Sequence, residues 1–492
     1  MEFPNIILVS IDCLRADRVS CYGHDRETTP EIDALASEGY RWEQCYSTGP
    51  RTNESFPGII ASALSTDSGY ISRRWHRTPP SPTIASWLSS KGYETVARLA
   101  NPQLAEMKGY AYGFDSFKNL AVGNVGWGVE SKDTTTNDTG DNRNSRLASL
   151  GSHIHNLRSN VRNANNITRW ALYAPIFYTY REYQQRSRWP TVDGEEVTRE
   201  IIKTLPQPNR TPDQPIFGWA HFNDIHAPIN HDRTERSELE SVSTISHYNA
   251  DIRRISQQRT ATYNTMYDSM IRYVDRQVGK IIKYLKKSNM WEESVLIITA
   301  DHGEALFDRG IYGHASGQDR HLYDTTRDYM YNELLRVPLI IGGGAIDGTQ
   351  TIVEPTSTGW LYEIIAEITD LNPVDFVRKS GRDSHFNPDP GAVVLADALT
   401  EQGHTFAAIS GKHKLITKSL HPDDSILDDA YYFNLKADPE EIEKRDSLDT
   451  PDRLVKAIRD NIITLDDLKN SAPSAQIQKE TQNLLSQLGY MK

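Results

Sequence analysis

Cysteine is scarce in this chain: Cys13, Cys21 and Cys45 are the only three, an odd number without the paired spacing of a disulfide framework or a cysteine zinc site. Reduced thiols are therefore expected. No run approaches the roughly 18 to 20 apolar residues that cross a bilayer, so no membrane span is expected either. A basic excess is also missing. Lys and Arg number 54 against 66 Asp and Glu, and the formal charge of −12 argues against a nucleic-acid partner held by general electrostatics. An anionic substrate would need a local cation, and a bound metal is the obvious one. The opening "MEFPNIILVSID" lacks the basic region, separate apolar core and small-residue cleavage site of a secretory signal, which leads to the expectation of a cytoplasmic location.

What is present is enough chain, 492 residues, for a large α/β domain with an appendage. "NIILVSID" is a short apolar run rich in isoleucine and valine with a polar tip, as a strand buried in a parallel sheet reads; "SVLIITADHGE" repeats the design near residue 300. Two such strands place their terminal acids at the carboxyl edge of one sheet, where open α/β folds bind ligands. "TTPEIDALASEGY" reads as a helix capped by Thr28 or Thr29 ahead of Pro30. The clearest helix is "TMYDSMIRYVDRQVGKIIKYLKKSN", with Met270, Ile271, Val274, Val278, Ile281, Ile282 and Leu285 in one stripe and lysines at its end.

Residues 118–213 are polar, with "TTTNDTGDNRNSR" unable to bury much, and read as an insertion or cap on a catalytic domain of residues 1–375. Beyond "RKSGRDSHFNPDPG", the segments "AVVLADA", "TFAAISGKHKLITKS" and "AYYFNLK" alternate as antiparallel strands do. They predict a small C-terminal α+β subdomain at 376–470, followed by a polar tail at 471–492.

Alone, Asp12 reads as a cap or a solvated strand end. Asp301 and His302 at the end of a second core strand change that reading, because a buried acid-histidine pair beside another strand-end acid is costly without a cation. A shared metal removes that cost.

"NIILVSIDCLRADRVSCYG", "TTPEIDALASEGYRWEQCYS", "HFNDIHAPI", "ITADHGEALFDRGIYGH" with "LLRVPLII", and "YYFNLKADPEE" resemble, in order, the characteristic segments of the sulfatase family within the alkaline phosphatase superfamily. The resemblance spans most of residues 4–117, 215–345 and 405–446 and leaves out the 118–213 stretch. It implies a mainly parallel central sheet flanked by helices, a metal-dependent ester hydrolase or transferase, and an anionic phosphorylated or sulfated small molecule, glycan or lipid head group as substrate.

Formylglycine sulfatases derive their nucleophile from a cysteine seven residues before the apolar pair of the next helix; here that pair resembles Ile59 and Ile60, and the count reaches Thr52. Cys45 is too early and Ser55 too late, and the competing role of Thr52 is a helix cap in "TNES". By the same resemblance Asp12, Thr52, Asp301 and His302 would hold one divalent ion. Cys13 stands where many sulfatases have a second acid, and an oxygen-poor set with an imidazole favours manganese or zinc, calcium being the alternative.

Without formylglycine, a sulfated threonine has no aldehyde through which to expel sulfate, whereas a phosphorylated threonine opens by in-line attack at phosphorus. A phosphoric ester is therefore the expected substrate, with a sulfuric ester hydrolase lacking formylglycine and a non-catalytic anion binder as alternatives. His226 in "NDIHAP" and His314 in "YGHASG" resemble substrate-contacting or leaving-group histidines. His221, Asp224 and His321 are expected in supporting roles, and Lys412 and Lys414 on a solvated face.

Overall fold

The computed structural model describes residues 3–67, 70–71, 74–75, 82–121, 191–206, 214–240, 242, 260–314, 329–372, 379–400, 403–419, 424–428, 430–445 and 449–464. The chain divides into one compact unit of residues 1–121, 191–229 and 233–476 and another of 122–190, 230–232 and 477–492. The second unit falls almost wholly outside the described residues, as do most of the 118–213 stretch, His321 and the polar tail.

The first unit is built on an eight-stranded sheet. Its strands in chain order are β1 (Asn5–Ile11), β2 (Tyr40–Trp42), β3 (Glu94–Leu99), β4 (Ser116–Asn119), β5 (Ile216–Phe222), β6 (Ser294–Ala300), β7 (Leu339–Gly342) and β8 (Gln350–Ile352). They lie in the order β8-β2-β7-β6-β1-β5-β3-β4, and only β7 runs antiparallel to its neighbours. Every residue of β1, β5 and β6 is buried, which is why these strands read as continuous apolar runs and not as alternating ones.

The flanking helices are α1 (Pro30–Ser37), α2 (Thr52–Ala61), α3 (Ile84–Ser90), α4 (Gly194–Ile202), α5 (Thr260–Lys287) and α6 (Leu361–Thr369). The apolar stripe of α5 is buried as the sequence pattern predicts, and α1 and α4 pack beside it. Helix α4 lies inside the polar 118–213 stretch, yet it buries Val197 and Ile201.

The cap of α1 differs from expectation. Thr29 holds the N-cap position but its hydroxyl donates to Asp33 Oδ1 (2.9 Å); the free amides of Glu31 and Ile32 go to Asp275 on α5, at 3.2 and 2.9 Å. The threonine found a nearer acceptor, and a carboxylate from another helix takes over the capping. Burial pushes Asp275 up to about 7, against an ordinary 3.8. Between those values the folded chain keeps a proton that the unfolded chain has lost, so this group's contribution to stability falls as pH rises through the window. Asp275→Asn should flatten that part of the pH dependence. Urea unfolding at several pH values from about 4 to about 8 checks it: an unchanged slope would contradict the assignment.

A second, antiparallel sheet follows, β9 (Val394–Thr400), β10 (Gly403–Ser410), β11 (His413–Ser419) and β12 (Tyr431–Asn434), paired in sequence order. Alternation sorts its two faces. Ala396, Ala407, Ile409, Ile416 and Phe433 join Tyr46, Leu335 and Trp360, while Phe406, Ala408, Leu415 and Tyr432 pack on Leu454 and Ile458 of α7 (Asp452–Arg459). Lys414 is buried and bonded to Glu441 (2.6 Å) and Asn332 Oδ1 (2.9 Å), so of the two lysines expected on a solvated face only Lys412 is exposed.

One residue of β9 ties this sheet to α2. Asp397 donates its amide to Thr48 O (2.9 Å) before the helix. Its carboxylate accepts from Ser65 N, Ser65 Oγ and Thr66 Oγ1 after the helix, at 3.0 to 3.2 Å, and bonds His404 Nε2 at 3.0 Å. Close packing completes the clamp: a Cβ on Gly58 would sit 2.3 Å from Thr48 Oγ1. Asp397→Ala leaves buried donors unpaired at the C-terminal end of α2 and should cost about 3 kcal/mol or more in denaturant unfolding.

Candidate active site

The parallel register sets Ile11 of β1 beside Ala300 of β6, so the next residues of the two chains, Asp12 and Asp301, leave the sheet side by side. Asp12 donates its amide to Phe222 O (2.9 Å) and is then fully buried. The turn continues through Cys13 in the left-handed region (φ 61°), which brings the Cys13 amide onto Asp301 Oδ1 (3.2 Å). Tyr267 of α5 donates its hydroxyl to Cys13 O and accepts from Arg15 N (3.2 Å). Arg15 then braces the turn against the next loop through Glu304 O (3.2 Å) and Asp308 (2.7 Å).

Thr52 opens α2, with Arg51 at the N-cap and no side chain capping the helix. Its hydroxyl is therefore not spent as a cap. Oγ1 lies 3.4 Å from His302 Nε2, which is also 3.4 Å from Asp301 Oδ2 and 3.9 Å from Asp12 Oδ1. His302 Nδ1 sits 2.8 Å from Gly303 O, an acceptor only, so Nδ1 carries the proton and Nε2 offers its lone pair to this cluster. The four residues proposed from sequence thus meet in one place. Of the other nucleophile candidates, Cys45 is buried in a short strand, where burial raises its thiol pKa, and Ser55 donates to Thr52 O (3.3 Å).

Asp301 Oδ2 is buried without a hydrogen-bond partner. Burial and the Asp12 charge push its carboxyl up. Burial also acts to raise Asp12, but the surrounding imidazoles of His221, His226 and His302 outweigh it and hold Asp12 well below the usual range. Two buried carboxylates so placed cannot both ionise cheaply unless a cation joins them. Asp12, Cys13 and His302 offer ligand atoms within 4.8 Å of one another, and the orphaned Asp301 Oδ2, 3.4 Å from His302 Nε2, is the observation that favours a divalent ion accepting nitrogen as well as oxygen.

His226 and His314 stand beside this cluster. Their rings are 5.0 Å apart, and the His314 ring is 4.4 Å from that of His302. His226 Nδ1 faces Ala227 O (2.6 Å), and His314 Nδ1 faces both Glu304 oxygens (3.1 Å). Burial would raise Glu304, but His314 and the other histidines reverse that and keep it an ionised acceptor. Each ring therefore keeps Nε2 free of these bonds.

Sequence reasoning missed three contributors. Asn101, just past β3, donates Nδ2 to Asp12 Oδ2 (2.6 Å); its signal was a third polar strand end on the same sheet. Glu304, the last letter of "TADHGE", orients His314. Cys13 directs its thiol at Asp12 Oδ1 (3.0 Å) and lies 3.6 Å from His314 Nδ1. Burial and the charges of Asp12, Glu304 and Asp301 push that thiol well up. His221 Nε2 approaches Asp12 Oδ2 to 3.5 Å and Ser10 Oγ bonds its Nδ1 (2.9 Å); Asp224 is tied to Arg233 (2.8 Å). Two of the first-turn amides of α2, those of Glu54 and Ser55, bond Arg51 O at 3.0 and 2.9 Å and are not free to face an anion.

Known proteins carry the same frame. A 2-O GAG sulfatase superposes with a TM-score of 0.58 at 15% identity, covering 93% of this chain and 90% of that one. The phosphonate monoester hydrolase of Agrobacterium radiobacter gives a TM-score of 0.57 at 15% identity, with 99% and 95% covered. By sequence, an arylsulfatase of Clostridium perfringens is 21% identical over 476 residues, 89% of each chain. The family model described as Sulfatase matches residues 4–371, about three quarters of the chain and all the residues clustered above, and on that ground this protein belongs to the sulfatase family.

Proposed function

We propose that this family hydrolase cleaves or transfers phosphoric esters through Thr52. The observation that carries the reading is the Thr52 hydroxyl, free of any capping role and 3.4 Å from the imidazole that sits between Asp12 and Asp301. Asp12, Thr52, Asp301 and His302 would hold one divalent ion, manganese or zinc before calcium, which when bound would acidify the hydroxyl and screen the anionic ester.

The chain's own groups do the rest. α2 fixes Thr52 so that Oγ1 can form a bond to phosphorus as the bond to the leaving oxygen breaks, and water then opens the phosphothreonine in a second in-line step. His226 and His314, held at Nδ1 by Ala227 O and Glu304, can in their protonated form give the Nε2 proton to the departing oxygen. Asn101 holds Asp12 in place, and the imidazoles of His221, His226 and His302 keep it ionised. The substrate class is an anionic phosphorylated or sulfated small molecule, glycan or lipid head group.

A sulfuric ester is the second reading, favoured by relatives named for sulfatase activity. Aryl phosphate, aryl phosphodiester, aryl phosphonate and aryl sulfate offered to the metal-loaded chain decide between them. Turnover of the phosphorus esters with sulfate slowest is expected; turnover of the sulfate alone would overturn the phosphoric reading.

A further inference from the structure

We infer that Arg309 is a positioning residue for His314, and that the C-terminal part of the chain acts on the active site through it. Arg309 takes no part in the steps above. It sits at the tip of a short hairpin in which Ala305–Leu306 pairs with Tyr312–Gly313. The hairpin is entered directly from Glu304 and leads directly into His314, whose Nδ1 lies 3.1 Å from the Glu304 carboxylate. Whatever fixes the tip therefore fixes where the His314 ring stands.

Two adjacent tip residues are tied to different parts of the chain. Asp308 accepts from Arg15 (2.7 Å) and from Leu306 N (3.1 Å), which anchors the hairpin to the turn that carries Asp12 and Cys13. Arg309 donates Nε to Glu333 Oε1 (2.8 Å), Nη1 to Glu441 O (3.1 Å) and Nη2 to Glu440 O, with its guanidinium 3.9 Å from the centre of the Tyr331 ring. A planar guanidinium holding three acceptors sets orientation as well as distance.

The acceptors are themselves fixed. Gly303, next to His302, donates to Leu334 O (2.8 Å), and a Cβ on it would lie 2.0 Å from Glu333 O, so the segment bearing Glu333 packs directly on that turn. Glu441 is buried in the left-handed region (φ 55°), which a residue with a side chain keeps only where its surroundings over-determine it. Its carboxylate takes Lys414 Nζ (2.6 Å) and Asn332 N (2.7 Å), and Lys414 also donates to Asn332 Oδ1 (2.9 Å). A buried pair of this kind adds little net stability over apolar packing; what it fixes here is the backbone whose carbonyls hold Arg309.

The inference rests on His314 giving its proton to the departing oxygen, and neither on Thr52 nor on phosphorus. Aryl esters with leaving phenols of rising pKa test it, phosphates or, should the sulfuric reading hold, sulfates. The measured quantity is kcat/KM, which covers the steps up to departure of the phenol. Protonation matters least for the best leaving group, so Arg309→Gln should stay within about three-fold of wild type on the dinitrophenyl ester and lose about ten-fold or more on the phenyl ester. Glu333→Gln should show the same pattern. His314→Ala should show it more steeply, and adding Arg309→Gln to it should cost nothing further. An equal loss across the series, or a loss that adds in full to that of His314→Ala, would overturn the positioning role. A His314→Ala variant that loses nothing on the phenyl ester would instead remove His314 as the donor, and the inference with it.

Discussion

Replacing Thr52 with alanine should lower kcat on an aryl phosphodiester by at least about a thousand-fold, because the substitution removes the attacking oxygen and the neighbouring hydroxyl on α2 is already engaged. That neighbour is Ser55, whose hydroxyl donates to Thr52 O. Thr52→Ser keeps an oxygen at the same place and should retain a measurable fraction of activity. Mass spectrometry of the acid-quenched wild type should find a phosphoryl adduct on the peptide containing Thr52. An alanine variant within about ten-fold of wild type would remove Thr52 from the mechanism.

Asp301→Asn, or removal of metal by a chelator, should cost about a hundred-fold or more in activity while the fold survives. Oδ2 of Asp301 is the buried oxygen without a partner, and Oδ1 accepts amides from Cys13 and His302. An asparagine oxygen turned towards those amides preserves the turn but withdraws the charge that would hold a cation. Chelated wild-type protein should regain activity with manganese or zinc more readily than with calcium, since an imidazole and few oxygens match the former. Metal analysis beside the assay checks the cause. Activity that is indifferent to chelation would sink the cation reading.

Much of this centre is written in local sequence. β1 and β6 read as buried parallel strands because both faces are covered, and their terminal Asp12 and Asp301-His302 stand out as polar tips. The α5 stripe follows a helical period, and the alternation of β9 to β12 follows the pleat. These are short-range patterns, set by which faces of one element are dry. Thr52 became a candidate by counting back from Ile59, and the two lie in the same helix.

Other features depend on partners far away in the chain. The cap of α1 comes from Asp275, the brace of α2 from Asp397, and the partner of Asp12 from Asn101, each an ordinary polar residue with no pattern around it. Lys414 reads as a charged strand residue and is instead paired in the interior with Glu441.

The sequence by itself therefore determined the parallel strands, their acidic ends and the family, and put Thr52 forward as a candidate. Only the tertiary structure decided which hydroxyl was left unspent, which carboxylate oxygen was orphaned, and that Cys13, an isolated thiol in sequence, faces two histidines. The reason is physical: apolar periodicity is a property of one segment, whereas the pairing of buried polar atoms is settled only when separate segments meet.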